Sequence, residues 1–151
     1  MPKDSLWEYA VPVAKTVAGF IFALLLAFMG DLSARILNLI LGYPWSPEVY
    51  QNIIVVGIGA AAGIGAYLGW INWSLNRYWV IATLLPVLGS GVLGAYLGSI
   101  YGPGVDQTYW WSRFATDPTI YLTAAIGGTV CATAIGIVGI VSSAVRWKSR
   151  N

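Results

Sequence analysis

The chain has 151 residues, of which 58% are hydrophobic and 9% charged, and its net charge is +2. Soluble domains are about a quarter charged, and a water-soluble fold of this length has too little interior to hide so much apolar surface. The small, dispersed charge offers no basic stripe for nucleic acid. The lack of histidine removes the usual general base, the usual haem ligand and the commonest transition-metal ligand.

A bilayer core of about 30 Å requires about 20 apolar residues per spanning helix. Four such windows fill the chain and predict an all-α, integral membrane four-helix bundle with glycine-rich helix–helix contacts. The spans cover about 13–40, 50–71, 78–100 and 119–145, with an outer loop at 101–118, in a single domain over 1–151.

At the start, Ser5 and Glu8 have the spacing of a capping box, and with Trp7 and Tyr9 they suggest a short helix at the headgroup level. Pro12 then opens or kinks the first span. The sparse basic residues before it, and the apolar run beyond it, read as a signal anchor and not as a cleavable signal. Asp31 and Arg35 stand one helical turn apart and continue the stripe Gly19, Ala23, Ala27 at intervals of four. On an unbroken helix this intramembrane charge pair faces the bundle and is neutralised internally; if the helix ends at Gly30, both charges are solvated.

Gly42 to Tyr50 reads as a loop, with Ser46 as N-cap and Pro47 in the first helical position of the second span. That span carries small residues at Gly57, Ala61, Gly65 and Gly69, and the third carries them at Ser90, Gly94, Gly98 and Gly102. Spacing of four gives each helix one smooth face, and smooth faces let backbones approach where lipid supplies no hydrophobic force between helices. The second and third spans are therefore expected to form a glycine-lined hairpin. Pro86 is expected to kink the third span beside Gly89 and Gly91. Gly-Ala-Tyr-Leu-Gly occurs at both Gly65–Gly69 and Gly94–Gly98, a match too short and too compositionally biased to carry a duplication.

The outer loop is aromatic, and Tyr109, Trp110, Trp111 and Arg113 are the candidate partner contacts, with interfacial anchoring as the simpler role. Gly102-Pro103-Gly104 ends the third span and Asp117-Pro118 opens the fourth, which bears a further stripe at Ala124, Gly128, Ala132 and Gly136. Cys131 lies alone in this span and reads as a packing residue. The basic residues Lys3, Lys15, Arg77, Arg146, Lys148 and Arg150 fall on the side of the termini, against Arg35 and Arg113 opposite, which places both termini in the cytoplasm. All eight tryptophans fall near span ends or in loops, as interfacial belts require.

The functional residues of enzymes are missing from the pattern: there are no paired carboxylates at helical spacing within the spans, no phosphate loop and no nucleophile elbow. In size and span number the chain is similar to the small multidrug transporters, but that family depends on a membrane-embedded glutamate in its first span, and this sequence has none. Thr83, Ser90, Ser99, Thr123, Thr129 and Thr133 supply the polar groups of the later spans, and such hydroxyls commonly bond their own helix. The reading that follows is a non-catalytic accessory subunit of a larger complex in the cytoplasmic membrane, such as a respiratory or photosynthetic assembly. Its partners are other membrane subunits and lipids. It has no metal and no cofactor held through side chains, though surplus smooth grooves suit a lipid or flat pigment. The alternative is a small homo-oligomeric transporter, lipid-linked substrate flippase or pore former.

Overall fold

A computed structural model describes residues 4–42, 46–70, 77–102 and 118–148. Its elements are α1 (Asp4–Ile40), α2 (Pro47–Trp70), α3 (Arg77–Tyr101) and α4 (Pro118–Lys148), with no strand among the described residues. Each contains a stretch long and apolar enough to cross a membrane: Ala10–Ile40, Val49–Trp70, Val80–Tyr101 and Ile120–Val138. The chain is a multi-pass, all-helical membrane protein.

The ends of the helices follow local chemistry. Helix α1 runs unbroken through Pro12 and Gly30, so the separate headgroup helix and the break at Gly30 are both absent. Thr16 donates its hydroxyl to the Pro12 carbonyl at 2.8 Å, a bond within the same helix. The helix closes with the Leu41 amide on the Leu37 carbonyl and the Gly42 amide on that of Leu39, where Gly42 takes φ 71°, a left-handed turn suited to glycine. Helix α2 opens at Pro47, with the Tyr50 amide donating to the Ser46 carbonyl. Pro86 lies inside α3 without ending it, on an exposed face with Ala82 and Gly89.

The helices pack in antiparallel pairs, most extensively α1 with α2 and α3 with α4. Here the expected hairpin is corrected. The stripe Gly57–Gly69 meets α1, not α3: Gly69 lies on Gly19, Gly65 on Phe22 and Ala23, and Gly57 on Gly30 and Ala34. The stripe of α3 meets α4, with Gly94 on Gly127 and Cys131, Gly98 on the Thr123 carbonyl and Gly102 on the Thr123 side chain. Helices α2 and α3 do touch, but through Gly59 and Gly63 against Val87, Leu88, Gly91 and Val92. The reason is angular. Two residues turn a helix by about 200°, so Gly59 and Gly63 face away from Gly57 and Gly65, and α2 is clasped on opposite sides.

In the middle, Gly128 of α4 faces Ala62 of α2 and Ala95 of α3, its Cβ direction ending 3.5 Å and 3.4 Å from their methyls. Ala124, Ala132 and Gly128 are buried along this central face of α4. Helices α2 and α4 thus touch across the bundle and form its core, while α1 and α3 flank them. Of the spanning windows, 44% of α2 and 50% of α4 is buried, against 17% of α1 and 22% of α3.

Candidate functional site

Among the described residues, the one ion pair stands where the end of α1 meets the start of α4, while the buried hydroxyls of Thr129 and Thr133 lie further along α4 with no hydrogen-bond partner among the described groups. The core-facing residues of α1 are Gly19, Ala23, Ala27, Gly30, Ala34 and Asn38, all buried. A strict spacing of four over-rotates by about 40° per step, so the buried line shifts from Ala27 to Gly30 and leaves Asp31 and Arg35 on the flank. The pair therefore does not point into the centre. It stands half-buried between α1 and α4, with side-chain exposures of 23% for Asp31 and 37% for Arg35.

There the Arg35 Nε donates to Asp31 Oδ1 at 2.9 Å, within one turn of α1. The guanidinium carbon lies 4.2 Å from the centre of the Tyr121 ring of α4, within range of a cation–π contact. Three groups from two helices are thus held in one place: a carboxylate fixes the guanidinium along α1, and an aromatic face supports it from α4. Together with Ala27, Ile58 and Ala125 they line an open cleft of about 410 Å³, with the half-exposed Phe28 and Leu122 at its rim.

Asn38 stands on the core face one turn beyond Ala34. It is fully buried, and its Nδ2 donates to the Ala34 carbonyl at 2.9 Å. Its Oδ1 has no partner among the described groups. At the far end of the bundle, Trp70 turns inward: its indole Nε1 is buried, and the ring lies between Gly19 of α1 and Gly136 of α4. It fills a seam where an interfacial belt residue would face the headgroups. Nearby, the Tyr67 hydroxyl donates to the Val80 carbonyl at 3.1 Å and lies 3.0 Å from Thr83 Oγ1, tying α2 to α3.

The other predicted residues divide clearly. Ala61 lies on Gly30, and Ala132 is in the buried set with Ala23 and Tyr67. Ser90 is off the α4-facing line and donates to the Val87 carbonyl of its own helix at 2.9 Å; Gly91 takes the contact with α2 instead. Ser99 and Thr123 likewise donate within their own helices, to Tyr96 and Ile120. Tyr109, Trp110, Trp111 and Arg113 lie outside the described residues, as does the middle of the outer loop. The repeated pentapeptides sit in unlike surroundings: Tyr67 is buried against α3, whereas Tyr96 is 44% exposed.

Sequence reasoning did not single out Tyr121, Asn38, Gly59, Gly63 or Gly127. Asn38 was within reach, since it extends the line Gly30–Ala34 by another four residues. For Tyr121 the sequence holds no signal, because its role comes from a contact with a helix far away in the chain. No protein-family model, no curated protein and no solved structure matches this chain, so the reading of its function rests on the bundle itself.

Proposed function

We propose that the chain is a non-catalytic structural subunit of a larger membrane complex, set in the cytoplasmic membrane with both termini on the cytoplasmic side. The observation that carries this reading is the closed centre of the bundle. Ala62, Ala95 and Gly128 meet side to side where a monomeric channel would need a lined passage. The one acid–base pair among the described residues lies on the flank and not along that axis. A second support is the exposure of α1, whose spanning stretch is the longest and least buried of the four. A flanking helix of this kind is suited to lie against another subunit. The small-residue faces are taken up within the chain and leave no surplus for a partner: among the described glycines of the helices, only Gly89 has nothing within 4 Å of its Cβ direction.

Purification in mild detergent, with native mass and peptide identification of everything that travels with the chain, tests the proposal. A stoichiometric hetero-complex is the expected result. A homodimer or small ring overturns it in favour of the second reading, a lipid-handling homo-oligomer, which the side-opening cleft with its ion pair favours.

A further inference from the structure

We infer that the cleft between α1 and α4 holds one zwitterionic phospholipid of the phosphatidylethanolamine type, with its phosphodiester on Arg35 and one acyl chain in the groove. The guanidinium has five N–H donors in a planar fork, and its bond to Asp31 uses the Nε. Tyr121 supports one face, and 37% of the side chain remains exposed. Donor capacity is thus left at the Nη end, the end suited to a two-pronged bond with phosphate oxygens.

Depth matches this occupant. Arg35 lies about 8 Å before the end of α1 at Ile40, and Asp31 about 14 Å before it. The Arg35 side chain reaches back to Asp31, so the ion pair lies within the last three turns of α1, on the headgroup side of the apolar groove, and the carboxylate holds the fork in place. Below them the groove is apolar, formed by Ala27 and Ala125 with Phe28 and Leu122 at the rim. Methyl-sized walls leave width for an acyl chain, and the larger side chains flank it.

Charge selects the headgroup. Asp31 already neutralises Arg35, so a lipid with net negative charge leaves an unbalanced charge in a medium of low dielectric constant. A zwitterion adds none: its phosphate meets the fork while its ammonium stays at the water interface. This inference concerns lipid on the chain itself and stands whether or not partner subunits accompany it.

The test is native mass spectrometry of the intact protein in detergent, with phosphatidylethanolamine, phosphatidylglycerol or diacylglycerol of identical chains added singly. Retention of one phosphatidylethanolamine per chain is expected, about tenfold above diacylglycerol through the charge-assisted bonds and also above phosphatidylglycerol through the charge balance. The double variant Asp31→Asn with Arg35→Gln replaces both charges by neutral amides and should abolish the preference over diacylglycerol while keeping a monodisperse, helical protein. Equal retention of phosphatidylethanolamine and diacylglycerol would mean adventitious lipid only and overturns the inference. So does a preference for phosphatidylglycerol, or a preference that survives in the double variant. Should that variant fail to fold, the headgroup comparison on the unaltered protein decides alone. Cross-linking of a partner helix through Phe28→Cys and Leu122→Cys also overturns it, because the groove would then be filled by protein.

Discussion

Helix α1 has two neighbours and meets them in opposite ways. Against α2 it presents Gly19, Ala23, Gly30 and Ala34, and a Cβ at Gly30, Gly65 or Gly69 would strike the facing backbone. Against α4 it presents Asp31 and Arg35, and the Arg35 guanidinium lies over Tyr121 beside an open cleft. The first joint is made of missing side chains, and its strength is van der Waals contact between backbones. The second is made of side chains at a distance, and it leaves space. A helix held tightly on one side can keep a loose, polar joint on the other without losing its place.

The largest effect should come from filling the tight joint. A Cβ at Gly65 would stand 2.5 Å from the Ala23 Cα, so Gly65→Ala should cost about 3 kcal/mol, at the upper end of overpacking penalties. Gly65→Leu, and likewise Gly98→Leu between α3 and α4, should abolish the folded protein. Denaturation in mixed detergent micelles, followed by tryptophan fluorescence, reads both. Unchanged assembly after the leucine substitutions would break the account of these seams.

A smaller loss, about 1 kcal/mol, is expected in the same assay from Tyr121→Leu, which removes the aromatic face under Arg35. If it exceeded the loss from Gly65→Ala, the cleft and not the glycine seam would be the principal joint of α1. The smallest effect belongs to Gly89, exposed and with nothing within 4 Å of its Cβ direction. There Gly89→Ala should leave stability unchanged or raise it by up to about 1 kcal/mol through helix propensity. A loss as large as that at Gly65 would reveal a contact at this face that the isolated chain lacks.

The spans were legible because an apolar run of the right length and its flanking turn residues are local properties. Ser46-Pro47 and Gly102-Pro103 bracket α2 and α3 in the sequence, and the helices begin and end beside them. The small stripes were legible for the same reason, since periodicity assigns residues to a face. It does not say which helix that face meets. The expected pairing of Gly65 with the α3 stripe failed at this step: α3 lies against Gly59 and Gly63, on the opposite side of α2, and the stripe of α2 is left for α1. The placement of Asp31 and Arg35 was half-legible. Their spacing showed that they share a side of α1, but the accumulated rotation that moves them from core to flank matters only once the helix is known to run through Gly30.

The glycine seams also bear on how this protein can change over generations. Their contacts are made by backbone, which every sequence possesses, at positions where the requirement is that nothing project. Outward side chains such as Leu85 and Val138, each more than half exposed, meet little of the chain itself and can exchange among apolar types. Descendants of this chain would be recognised less by shared letters than by shared intervals: Gly19, Ala23 and Gly30 set against Gly57, Gly65 and Gly69.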